Sequence, residues 1–158
     1  MNSETISALE LAWNVRGGGG GRTERRFLDY VVDGTPLSSV IKADVISPFG
    51  WCVAAEQVKA ASRLVREASP DLPEERVSLF VCPECGDLDC GAVGITVDRG
   101  QGLVIWRDFA FESNGERSSY ALGPFRFDGR AYHQQFERLR RECAAGLKWP
   151  NHQFSSCS

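Results

Sequence analysis

The sequence predicts an α+β fold, an antiparallel sheet of about five or six strands packed by two main helices. Between Arg76 and Glu112, apolar residues recur at every second position through three successive stretches. That is the period of strands with one buried face. Over Val53–Ala68 and Gly129–Ala145 they recur at helical spacing instead. A length of 158 residues suits a single domain spanning 1–158, with a core of its own.

In chain order, Leu9, Leu11, Trp13 and Val15 alternate with Glu10, Ala12 and Asn14 and predict a first strand. Leu28, Tyr30 and Val32 alternate with Phe27, Asp29 and Val31 and predict a second. Between them a glycine-rich stretch over 16–26, with five consecutive glycines at 17 to 21, predicts a flexible hairpin connection. It lacks the G-x-x-x-x-G-K-[ST] and G-x-G-x-x-G patterns of phosphate-cradling loops. Asp33-Gly34 marks a turn, and Pro36 opens a short helix through Ile41. In the first long helix, Ala54, Val58, Ala61, Leu64, Val65 and Ala68 form the apolar stripe, and Ser69-Pro70 ends it.

The central strands follow. Val77, Leu79 and Val81 share one face of the first, and Val93, Ile95 and Val97 one face of the second. Leu103, Ile105, Phe109 and Phe111 are expected to share a face of the third, interrupted by Arg107, with Trp106 on or beside the sheet and buried. The stretch Glu112–Tyr120 is a polar loop, and Phe125 and Phe127 make a short last strand beginning after Pro124. Asp128 suits the N-cap of the final helix and Gly146 its C-cap. Tyr132, Phe136, Leu139 and Cys143 are its buried stripe. Residues 148–158 form a loose tail.

Hydrophobic residues make up 42% of the chain and charged residues 25%, ordinary values for a globular protein in water. The net charge of −3 argues against a nucleic-acid partner and leaves room for a basic protein partner. No run of about 18 apolar residues predicts a membrane span, and no basic start followed by an apolar stretch predicts secretion. A cytoplasmic protein with reduced thiols is the expectation for the six cysteines.

Cys82-Pro83-Glu84-Cys85-Gly86 has the form C-P-x-C-G, and Cys90 follows. Two thiolates at this spacing can chelate one Zn2+ from a curled backbone, and Cys90 can supply a third sulfur. A fourth ligand would come from Cys52, Cys143, Cys157, His133, His152, Asp87 or Asp89. A metal-free turn with reduced cysteines and a disulfide between Cys90 and Cys82 or Cys85 are the alternatives. Cys52, just ahead of the first long helix, is a candidate nucleophile or a small core residue. His133 and Glu137, one helical turn apart, are a surface pair or a catalytic dyad. Arg138, Arg140 and Arg141 make a solvated basic face. Glu84, Asp87 and Asp89 give the knuckle an acidic rim, which with Asn114 and Glu116 is the candidate partner-binding surface.

The runs F-V-C-P-E-C-G-D-L-D-C-G-A-V, V-I-W-R-D-F and L-G-P-F-R-F-D-G-R-A-Y resemble a family of small bacterial proteins of the actinobacterial type. Some of its members carry the label oxidoreductase. The resemblance implies one compact domain and fixes no catalytic residue. The residues therefore predict a protein-binding module, of the antitoxin or immunity type, with a structural cysteine knuckle that is a candidate zinc site. A thiol- or metal-dependent enzyme is the alternative.

Overall fold

The computed structural model describes residues 5–148. The α+β class holds, with the strands divided between two antiparallel sheets. The first sheet has the order β1 (Leu9–Arg16), β2 (Arg25–Val32), β3 (Thr35–Pro36). The second runs β4 (Val77–Phe80), β5 (Ala92–Gly100), β6 (Leu103–Ser113). The outer edge of β6 is shared by β7 (Glu116–Ser119) and β8 (Phe125–Asp128). Helix α1 (Ala54–Leu64) and helix α2 (Gly129–Ala145) pack on one another, α1 against β4 and α2 against β6 and β8. The sheets are joined where Ile46 and Val81 exchange backbone hydrogen bonds of 2.7 and 3.0 Å, and where Ser7 N–H donates to Arg126 C=O. None of the described helices is long and apolar enough to cross a membrane.

Several expectations need correction. β6 does not keep one face inward along its length. Val104 and Trp106 point into the core on its first half and Phe109 on its second, while Leu103 and Ile105 are only half-buried. The cause is an extra residue in β6: Gly94 pairs with Ala110, but Thr96 pairs with Arg107. Asp108, at φ 58°, is the pivot of this bulge. A second register shift lies between Ser78 and Phe80, so Leu79 and Phe80 are both fully buried.

The polar stretch expected to be a loop is a hairpin. Asn114-Gly115, both at positive φ, is the turn that carries β6 into β7. The short helix expected after Pro36 is one 3-10 turn, Leu37–Ser39. Helix α1 ends at Leu64, and its buried face includes Gln57.

The core is a run of edge-to-face rings. Tyr30 meets Phe80 at 5.4 Å and Trp106 at 5.6 Å, and Trp106 meets Phe127 at 5.0 Å. Such pairs contribute about 0.5–1.5 kcal/mol each beyond their area. Two buried polar tips are also satisfied: Trp106 Nε1–H donates to Tyr132 Oη at 3.0 Å, and Tyr132 O–H donates to the Leu64 carbonyl at 2.7 Å. That relay ties β6 to the end of α1 through α2. Helix α2 follows expectation, with Tyr132, Phe136, Leu139 and Cys143 buried and Asp128 accepting from Ala131 N–H at 2.9 Å.

Trp106 is fully buried. Trp106→Ala is expected to lower unfolding stability by about 3–5 kcal/mol in a denaturant titration. An unchanged midpoint would contradict its place at the centre of the core.

Candidate metal centre

The segment between β4 and β5 is short and tightly hydrogen-bonded, which fixes where its sulfurs point. Gly86 N–H closes a turn on the Cys82 carbonyl at 2.8 Å. Leu88–Cys90 is one 3-10 turn, capped by the Asp87 carboxylate, which accepts from Asp89 N–H at 3.0 Å. The Cys82, Cys85 and Cys90 Sγ atoms all lie within 4.8 Å of one another, and Cys85 and Cys90 Sγ are 3.3 Å apart. A disulfide needs about 2.05 Å. Sulfurs sharing a tetrahedral zinc at 2.3 Å sit roughly 3.8 Å apart. The structure thus holds free thiols near chelating separation, with Cys85 and Cys90 exposed and Cys82 half-buried. The cluster can hold a metal ion.

Its electrostatics set Cys82 and Cys90 apart. Burial pushes the Cys82 thiol up, but backbone N–H groups of Cys85 and Glu84 and the Cys85 and Cys90 thiols outweigh it and hold Cys82 below its ordinary value. The contact with Cys85 pushes Cys90 up to about 12. A metal ion removes that conflict by deprotonating each thiol it binds.

The knuckle is gripped by the glycine-rich hairpin. Gly20 and Gly21, both at positive φ, make its two-residue turn, so the connection is a defined hairpin. The Glu84 carboxylate accepts from Thr23 N–H at 2.9 Å, from the Thr23 hydroxyl at 2.7 Å and from Arg16 Nη1 at 2.7 Å. Arg16 is buried and also binds Asp44 in bidentate fashion. Arg25 stacks on the Trp51 ring at 4.5 Å and donates to the Pro83 carbonyl at 2.8 Å. None of these hairpin residues stands out in the sequence as part of a site. The only signal was the cationic R-T-E-R-R run after the glycines.

This changes the expected acidic surface. Glu84 is consumed by the hairpin, so it is a latch within the chain. Asp87 lines a groove of about 640 Å³ with Arg25, Trp51, Cys52, Arg63 and Cys85. Asp89 lines another, of about 390 Å³, with Glu74, Glu112, Asn114, Glu116 and Arg117. The structure therefore places Asp89, Asn114 and Glu116 on one groove and Glu84 and Asp87 on the other.

The other candidates separate in the same way. Burial pushes the Cys52 thiol up to about 11, so it is protonated at neutral pH. The Glu137 carboxylate pairs with Arg140, and His133 faces a cavity of about 490 Å³ beside Arg99 and Arg130. Arg140 also pairs with Glu67, and Arg138 with Glu142, so the basic face of α2 is largely paired. Cys143 is buried on α2, donating to Gln57 Oε1 at 3.3 Å, and is not part of the knuckle. Cys157 and His152 lie outside the described residues. Among the described residues, only the three knuckle thiols gather within ligating distance of one another.

The latch should be acid-sensitive. Thr23 N–H, the Arg16 guanidinium and the Thr23 hydroxyl together lower the Glu84 carboxyl from its ordinary 4.5 to about 2. A group whose folded pKa is depressed contributes stability that is present above its unfolded pKa and lost as pH falls through the folded one. The difference in stability between the wild type and Glu84→Gln is expected to be constant above about pH 5 and to shrink steadily towards pH 2. A difference independent of pH across that window, in thermal unfolding, would contradict the latch.

No protein-family model, curated protein or solved structure matches this chain.

Proposed function

We propose that the chain is a zinc-stabilised protein-binding module. In this reading Cys82, Cys85 and Cys90 hold the metal as thiolates, and the metal fixes the knuckle to which the glycine hairpin is latched. The observation that carries it is the convergence of three Sγ atoms within 4.8 Å on a turn whose backbone is already closed by hydrogen bonds. Soft thiolate ligands in this number select zinc over the hard cations. The partner is a basic protein, of the kind an antitoxin or immunity protein neutralises, docking at the groove of Asp89, Asn114 and Glu116. In support, the carboxylates of Asp89 and Glu116 have no ion-pair partner among the described residues, whereas Glu74 and Glu112 are paired with Arg117 and Arg76. Complementary charge of this kind speeds encounter and sharpens specificity.

The groove beside the knuckle favours one second reading, a thiol- or metal-dependent enzyme, because it places Cys52 and Cys85 on the same open space. Against it stands the protonated state of Cys52.

Protein purified without chelators is expected to contain about one zinc per chain by elemental mass spectrometry, and less in Cys85→Ser or Cys90→Ser. Chelation should lower the thermal midpoint of the wild type. Zinc-free protein whose midpoint ignores chelators would contradict the metal reading. For the partner, Asp89→Lys with Glu116→Lys is expected to abolish capture from host lysate at low salt. Equal capture by the wild type and this double variant would remove the groove from the function.

A further inference from the structure

A structural zinc site closes with four ligands, and three are accounted for. We propose that Cys52 is the fourth, so that the loop ahead of α1 and the β4–β5 knuckle are joined through the metal. This rests on the zinc reading above.

Four observations carry the assignment. First, Cys52 lies beside the knuckle backbone: a Cβ placed on Gly86 would sit 3.6 Å from Cys52 Sγ. Second, Cys52 and Cys85 line the same groove. Third, the backbone around Cys52 is held while its sulfur is not. Cys52 N–H donates to the Pro48 carbonyl at 3.3 Å, and the Cys52 carbonyl accepts from Gln57 Nε2. Its Sγ has no hydrogen-bond partner among the described residues. Rotation about the Cα–Cβ bond alone carries a cysteine sulfur about 3 Å between staggered positions, without moving the chain. Fourth, the two segments are already clamped, because Arg25 stacks on Trp51 and donates to the carbonyls of Pro83 and Glu84. The remaining described candidates are worse placed: Cys143 is sealed between the helices, His133 lines a separate cavity with Arg99 and Arg130, the Asp87 carboxylate caps the 3-10 turn, and Asp89 lines the other groove with Asn114 and Glu116.

On binding, each of the four thiols gives its proton to solvent, and the metal forms four Zn–S bonds, with no change of oxidation state. The product is a closed four-sulfur site with no position left for water or substrate.

X-ray absorption at the zinc edge counts the sulfur neighbours directly. The zinc-loaded wild type is expected to show four sulfurs. Cys52→Ser should show three sulfurs and one oxygen or nitrogen, while Cys143→Ser and Cys157→Ser keep four. A wild-type shell of three sulfurs and a lighter atom overturns the assignment of Cys52 and leaves the zinc reading intact. Four sulfurs in Cys52→Ser, or three in Cys157→Ser, would overturn it equally. Failure of the full chain to take up zinc at all overturns both. Because the wild-type spectrum alone counts the sulfurs, the inference stays testable even if Cys52→Ser does not fold.

Discussion

The buried guanidinium of Arg76 is the contact on which the five-stranded sheet depends. Where β6 carries its extra residue, the Asp108 carbonyl leaves the ladder, and an unpaired buried carbonyl costs about 1–3 kcal/mol. Arg76 Nη2 donates to that carbonyl at 2.6 Å and to the Gly94 carbonyl at 2.8 Å, and Nη1 reaches Thr96 Oγ1. Its charge is met by Glu112 in a pair that is nearly sealed from water. A buried pair of this kind is tolerable when its remaining donors and acceptors are also satisfied, as they are here. Gly94 makes the room, because a Cβ there would lie 2.5 Å from Glu112 Oε2. The second irregularity, in β4, is met by the same device: Tyr30 O–H donates to the Leu79 carbonyl at 2.9 Å. Each break in the ladder is thus closed by a side chain from elsewhere, and the aromatic core is arranged around those two closures.

This explains what could be read from the amino-acid order and what could not. Periodicity located both helices and the strands of the core, because burial imposes the period wherever the ladder is regular. It placed Val93, Ile95 and Val97 correctly on one face. It misplaced the inward face of β6 because a bulge resets the alternation and leaves no mark of its own. Asn114-Gly115 did carry a turn signal, outweighed by the polarity of β7, whose residues are all exposed. The three thiols were recognisable because they are neighbours in sequence. The hairpin grip on Glu84 and the clamp of Arg25 were not, since each joins segments far apart in the chain, and Cys52 was one candidate among several until the fold set it beside Gly86.

The knuckle is a junction between the two sheets more than an appendage of one. Glu84 binds the tip of β1 and β2 while Cys82 and Cys90 continue from β4 and into β5. Trp51 is held by its own donation to the Ser47 carbonyl at 2.7 Å and by the Arg25 stack above it. Arg16 binds two carboxylates, Asp44 and Glu84, and Asp44 also pairs with Arg22, so two guanidinium groups face two carboxylates at this corner. A polar junction of this density is costly when only partly formed, which favours a single arrangement over several looser ones.

The grip on Glu84 also orders events during folding. It joins residues 61 apart in sequence, whereas the Cys85–Cys90 contact spans only 5. Closing a longer loop costs more conformational entropy, and distant pairings wait until nearer structure has formed to reward them. Gathering the sulfur cluster therefore costs less loop-closure entropy than seating the glycine hairpin on Glu84. The hairpin closes on a turn whose own hydrogen bonds are all local, so its position depends on the turn while the turn's backbone does not depend on it.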